Sequence, residues 1–381
     1  MEGSLDRPVR PGSHSHMPPV NRAHRAGLAA AFAALPFALA YRFALVYRVR
    51  AGYPQRHPPA ATPHAVGLAW DEVEVPSSGG LRLPGWFIAA GQARAPGVVL
   101  VHGWESARDR TLPHAQVLHA IGYHVLTIDV RGHGANGPEA LPLSVGEFAA
   151  DARAGVAWLL ARPEVSRVAL LGHSMGAAGS LVATAANPDV AAVIAVATPA
   201  DPARLTRQTF RLANLPIPGP IAGPLAWLTT HVYLRPRGHT IASVSATRAI
   251  QDITVPVLLA HGTDDGVVPV TDLERLAAAR RATRPLAVTE TIAVAGGRHS
   301  WLYEFPEYRA AIGRFLATSL GGPLPPDEAA AVAEAVDARR LPEPERLTTL
   351  DEEPGGLRSL TRLVRRHETR AADPVPPAST P

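Results

Sequence analysis

A chain of 381 residues that is 46% hydrophobic and 18% charged is too apolar to be disordered throughout and long enough to bury a large core. It has no cysteine, which excludes disulfides, thiolate metal sites and a cysteine nucleophile. The net charge of +4 is concentrated at one end: residues 1–60 hold eight arginines against Glu2 and Asp6, residues 61–320 are close to neutral, and the C-terminal stretch is acidic. A basic excess confined beside an apolar run speaks for a membrane and against nucleic acid.

Residues 1–26 are rich in Pro, Arg, His and Ser with no apolar period and read as disordered. Residues 27–47 form an apolar run broken by Arg42, which can snorkel to the headgroups from near one end. A span needs about 20 mainly apolar residues and tolerates Pro36, so the run reads as a single-pass N-terminal membrane anchor. The alternative is an export signal cleaved near Ala40, with Arg22 and Arg25 ahead of the run and Ala38-Leu39-Ala40 as the small-residue site. An amphipathic helix packed on the domain is disfavoured, because the run has no polar stripe to face water. Residues 48–65 read as a linker.

From 66 onward strands alternate with helical patterns, the signature of a parallel sheet covered on both faces. Strands are predicted at 68–75, 81–89, 98–101, 125–129, 168–171, 190–196, 257–260 and 287–294, and helices near 108–121, 145–161, 175–186, 271–281 and 306–318. Residues 200–250 are too long for an ordinary crossover, so a helical cap of two or three short helices is predicted after the sixth strand. Arg204, Arg207 and Arg211 share one face of a cap helix and read as solvated, while 212–234 is apolar and rich in Pro and Gly. Such a lid could admit an acyl chain, dock on a bilayer or simply pack over the site. The domain is drawn as 66–320. Residues 321–381 read as a mostly disordered tail with a short Ala/Glu helix near 327–338 and a weak surface helix at 357–367.

Gly172-His173-Ser174-Met175-Gly176 follows an apolar strand and opens a helical pattern. A G-x-S-x-G sequence in that context holds the serine in a strained turn with its hydroxyl projecting at the carboxyl end of the sheet, and the helix that follows points its positive end there. Serine is a poor nucleophile without a base, and His299, in a glycine-rich loop directly after the last strand, is the candidate. An acid must then fix the imidazole tautomer. Asp264 and Asp265 follow the strand at 257–260, and Asp265 is chosen because the turn Gly266-Val267-Val268-Pro269 aims it inward; Asp201 is the outside candidate. The backbone amides of Met175 and of Trp104, in His102-Gly103-Trp104 after the strand at 98–101, are assigned to the oxyanion.

The chain from about 66 to 318 resembles α/β-hydrolase-fold serine hydrolases, in particular the membrane-anchored Bem46-like and serine-aminopeptidase-like branch. The resemblance rests on His102-Gly103-Trp104, Asp129 to Gly134, Gly172 to Gly176, His261 to Pro269 and Gly297-Arg298-His299, and on the order Ser174, Asp265, His299. It implies a doubly wound, mostly parallel eight-stranded sheet and a structural role for the loop from Asp129 to Gly134. The activity it implies is hydrolysis of carboxylic or acyl esters through an acyl-enzyme. An acyltransferase with the same triad and a membrane scaffold without catalysis are the alternatives. No cofactor is expected, and no metal, because His14 and His16, or His114 and His119, lack further ligands at useful spacing. The partners expected are a small ester or acyl substrate and a membrane.

Overall fold

The computed structural model describes residues 22–341. The predicted helix at 357–367 and most of the segment expected to be disordered at 1–26 lie outside them. Eight strands form one sheet: β1 (Asp71–Pro76), β2 (Arg82–Ile88), β3 (Ala95–Val101), β4 (His124–Ile128), β5 (Val165–His173), β6 (Val190–Val196), β7 (Val257–Gly262) and β8 (Thr289–Val294). Their spatial order is β1-β2-β4-β3-β5-β6-β7-β8, with β1 and β2 antiparallel at one edge and parallel pairing from β4 to β8. Strands β3 to β7 are buried on both faces, which is why they read as unbroken runs such as Val98-Val99-Leu100-Val101.

Two apolar layers sandwich the sheet. Val99, Val101, Leu170, Ala195 and Leu259 point toward α3 (Val145–Leu160), α4 (Met175–Ala185), α7 (Ala246–Asp252) and α8 (Thr271–Thr283). Val98, Leu100, Leu171, Ile194 and Leu258 point toward α2 (Leu112–Ala120), α9 (Pro306–Leu320) and α10 (Pro326–Ala335). Helix α3 starts at a capping box: the Ser144 hydroxyl accepts from the Gly146 amide, and the Ser144 amide donates to Glu147 at 2.8 Å. The order of the sheet reverses at β3, so the loop after β3 and the loop after β5 open side by side. That crevice is where doubly wound sheets place their ligands.

The interval between β6 and β7 holds α5 (Pro202–Leu212), α6 (Gly219–Leu234) and α7. Helix α1 (Arg22–Ala51) packs on α5 and α6 through a separate apolar patch of Phe43, Tyr47, Phe210 and Ala226. The Tyr47 hydroxyl bonds the Thr209 hydroxyl at 2.8 Å, and the Phe43 and Phe210 rings meet edge to face at 5.5 Å.

Three sequence boundaries need correction. The apolar helix begins at Arg22 and continues to Ala51, so it takes in the end of the segment expected to be disordered and the start of the expected linker. Its last turns are held because their aromatic side chains find the cap patch, which lies far away in sequence. At the other end, the chain is not disordered directly after 320. Helix α10 lies where a helix was predicted and docks on α9, where Ala329, Ala330 and Ala333 are buried. Arg309 of α9 donates to the carbonyls of Ala333 and Glu334 at 3.2 and 2.6 Å, closing the helix end.

Candidate active site

Strand β5 passes directly into α4 at Ser174, whose φ of 54° and ψ of −117° are strained for a residue with a Cβ. The turn is held from both sides, because the Ser174 amide donates to the Val196 carbonyl at 2.8 Å and its carbonyl accepts from Ala178 at 3.0 Å. Only glycine fits beside it. A Cβ on Gly172 would stand 2.4 Å from the Gly176 carbonyl oxygen, and one on Gly176 would stand 2.3 Å from the carbonyl oxygens of Val101 and His102.

The loops after β7 and β8 bring His299 and Asp265 together. They are stitched to each other by the Asp264 amide donating to the Gly297 carbonyl at 2.9 Å and the Gly296 amide donating to the Thr263 hydroxyl at 2.9 Å. His299 Nε2 lies 3.0 Å from Ser174 Oγ, and His299 Nδ1 lies 2.8 Å from Asp265 Oδ2. Ser174 and His299 are nearly withdrawn from solvent, and the Asp265 side chain is fully so. His173 holds the His299 backbone from behind through a 2.7 Å bond between its Nε2 and the His299 carbonyl.

Both carboxylate oxygens of Asp265 are engaged. Oδ1 accepts the amides of Val267 and Val268 at 2.8 Å each, and Oδ2 faces His299 at 2.8 Å and His261 Nε2 at 3.0 Å, a nitrogen shared with the Val268 carbonyl at 2.9 Å. Burial works to raise this carboxyl, but the His299 charge and the bonds from His261 and His299 outweigh it. The net result holds Asp265 well below the usual carboxylate range, as an anion. Asp264 is exposed, and its carboxylate accepts from the Thr263 hydroxyl at 3.0 Å. Asp201 is spent on capping α5, accepting from the Ala203 amide at 2.8 Å.

The turn after β3 comes against Ser174. A Cβ on Gly103 would lie 3.3 Å from Ser174 Cβ, which puts the His102-Gly103-Trp104 backbone at the edge of the nucleophile turn. His102 holds that turn, with Nε2 accepting the Val130 amide at 3.0 Å and Nδ1 facing the Gly103 carbonyl at 2.7 Å. Since one nitrogen accepts, the other must carry the proton, and burial pushes this imidazole down to about 4. The Trp104 indole meets the His133 ring edge to face at 5.3 Å. Met175 opens α4, so its amide is among the first-turn donors that a helix leaves without an internal partner.

Loop 129–134 braces this arrangement. Asp129 accepts the amides of Arg108 and Ala135 at 2.7 and 3.0 Å, and Arg131 pairs with buried Asp151 at 2.5 Å. Sequence reasoning did not find His261 as a second neighbour of Asp265, nor the parts played by His173 and His102. Each neighbours a motif residue in sequence, and only the fold shows where its second nitrogen points. The arginine face expected to be solvated is partly engaged: Arg204 pairs with Asp272 at 2.9 Å, and Arg204, Arg207 and Arg211 line a small cavity against Val267 and Pro269. Among the described residues no cluster of three or more His, Asp or Glu is placed to hold a metal ion.

Residues 92–235 match the family described as serine aminopeptidase, S33. An uncharacterized protein of Mycobacterium tuberculosis is 31% identical over 224 residues, covering 58% of this chain and 71% of its own. The α/β-hydrolase domain-containing protein WAV2 of Arabidopsis thaliana is 28% identical over 256 residues, covering 65% of this chain and 78% of its own. Among solved structures, a Pyrococcus furiosus esterase superposes with a TM-score of 0.57 at 23% identity, covering 71% of this chain and 97% of that one. An acylaminoacyl peptidase superposes with a TM-score of 0.53 at 17% identity, covering 70% of this chain and 44% of that one. With its eight-stranded sheet, its cap after β6 and these relatives, the chain belongs to the serine aminopeptidase S33-like family of α/β-hydrolases.

Proposed function

We propose that the protein is a serine hydrolase of carboxylic esters, acting through an acyl-enzyme on Ser174. The observation that carries this reading is the continuous relay Ser174 Oγ, His299, Asp265, with successive contacts of 3.0 and 2.8 Å. Ser174 Oγ attacks the acyl carbon while His299 Nε2 takes its proton, and Asp265 stabilises the imidazolium without itself being protonated. The amides of Met175 and Trp104 meet the oxyanion of the tetrahedral intermediate. Collapse expels the alcohol, which takes its proton from His299. Water then attacks the acyl-enzyme, giving a proton to the same nitrogen, and the acid leaves as Ser174 recovers its own.

The test is covalent labelling by a fluorophosphonate probe. Labelling of the wild type that vanishes in Ser174→Ala supports an activated serine. Absence of labelling in a folded wild type refutes the reading. Matched p-nitrophenyl esters and anilides then separate ester from amide turnover, with the ester expected to be preferred.

The same chain is held at a membrane by α1. Residues 24–51 are long and apolar enough to cross a bilayer, a property that anchors and export signals share. Two features favour the anchor: α1 runs unbroken through Ala38-Leu39-Ala40, and its following turns are locked into the cap patch.

A further inference from the structure

Helix α1 is more than a tether, because of how it meets α6. The Arg48 side chain donates to the Val232 carbonyl at 3.4 Å, and the Tyr47 and Tyr233 rings lie 6.2 Å apart. Earlier in both helices, Phe43 shares a patch with Leu225 and Ala226. The two helices therefore run parallel in register. Both rise about 1.5 Å per residue, so Ile221 lies level with Phe37 and Trp227 level with Arg42. Phe37 is inside the exposed apolar stretch of α1, whereas Arg42 marks its end.

The chain at that level is built for a nonpolar medium. From Leu212 to Thr230 there is no charged residue. Ile221 and Trp227 are each 55% exposed, although both are large and apolar. The backbone donors are also accounted for. Ala213, Asn214 and Leu215 donate to Thr209, Arg211 and Phe210; Ile217 donates to Leu215; Ile221 and Ala222 both donate to Pro218. Pro216, Pro218 and Pro220 have no N–H to satisfy. A helix start normally leaves four orphan donors, and here Gly219 is the one left over. Unbonded backbone groups are what exclude irregular chain from hydrocarbon, and on the donor side this hairpin carries little of that barrier, while its free carbonyls suit the headgroup boundary. Arg211 at its base and Trp227 level with Arg42 are residue types that settle at headgroup depth.

We propose that the hairpin joining α5 to α6, residues 212–228, inserts into the same phospholipid leaflet that α1 enters, so that the cap is seated on the membrane. This rests on the anchor reading of α1. A bilayer that takes up residues 24–41 in the observed geometry meets the hairpin at the depth typical of interfacial helices, about 5–10 Å below the headgroups. The cap then faces the leaflet in one fixed orientation.

The chain has no cysteine, so single cysteines can be labelled without background. Ile221→Cys, Leu35→Cys on α1 and Leu286→Cys on the loop after α8 are each made in the full chain, labelled with an environment-sensitive fluorophore and reconstituted into phosphatidylcholine–phosphatidylglycerol vesicles. Thermal midpoints confirm that each variant is folded. Transfer from detergent-free buffer to vesicles is expected to blue-shift the labels at 35 and 221, abolish their quenching by iodide and open them to quenching by nitroxide lipids. The label at 286 stays accessible to iodide. Iodide access at 221 with shielding at 35 overturns the docking while the anchor stands. Access at both positions shows that the anchor reading itself has failed. Shielding at 221 without shielding at 35 overturns the parallel geometry.

Discussion

The two neighbouring carboxylates after β7 give the sharpest test of the site. In Asp265→Asn the amide oxygen can still accept from Val267 and Val268, but the amide nitrogen is then turned toward His299 and His261. His299 must present Nδ1 as an acceptor to that nitrogen, which moves its proton to Nε2 and removes the acceptor that faces Ser174 Oγ. A wrong-tautomer change of this kind costs kcat on the order of 10⁴, about 5 kcal/mol of transition-state stabilisation. Asp264→Asn disturbs one hydroxyl contact on the surface, so turnover should stay within about twofold and stability within about 0.5 kcal/mol. The assay is kcat for a short-chain p-nitrophenyl ester, with thermal midpoints to show that both variants are folded. A folded Asp265→Asn enzyme that keeps a tenth of wild-type turnover, or a larger loss in Asp264→Asn, refutes the assignment of the acid.

Acid should unfold the protein well above the range in which carboxylates titrate. Burial lowers His102 and His114 to about 4 and His133 and His173 to about 3, so all four stay neutral in the fold, whereas the unfolded chain protonates them near pH 6.5. Their contribution is complete above pH 6.5 and falls as pH drops toward 4, by roughly 1–2 kcal/mol each at pH 5; a urea midpoint unchanged between pH 7.5 and 5 contradicts this. Arg280 is fully buried and donates to the carbonyls of Ile253 and Val255 at 2.7 and 2.6 Å and to the Thr289 hydroxyl at 2.8 Å. Arg280→Met should therefore cost about 2–4 kcal/mol in chemical denaturation, with ester turnover of the folded fraction unchanged. Removing residues 1–41 should release an active protein from the membrane fraction. Extending the deletion to 51 uncovers Phe210 and Ala226 and should lower the thermal midpoint by several degrees; equal midpoints for the two truncations show that the α1 contact adds nothing.

The sequence by itself determined the elements whose signal is local. Unbroken β-branched runs mark strands buried on both faces, and Gly172 and Gly176 flank Ser174 because the turn admits no Cβ on either side. The order of motifs along the chain then identified the family, since each chemistry-bearing residue follows a strand and the carboxyl ends of parallel strands open on one side of a sheet. The inward aim of Asp265 was also a local matter, because the turn after it supplies the amides that hold its carboxylate.

Tertiary structure decided what depends on partners distant in sequence. Nothing near Tyr47 indicates Thr209, and nothing near Ala329 indicates that α9 would receive it, so the ends of helix α1 and the docking of α10 were not legible in the sequence. The same holds for His261, His173 and His102, whose roles depend on where a second ring nitrogen finds its partner. Local pattern reports the free energy a segment gains from its own periodicity and turns. A helix end, a buried arginine or a tautomer is fixed by groups that only folding brings within hydrogen-bond distance.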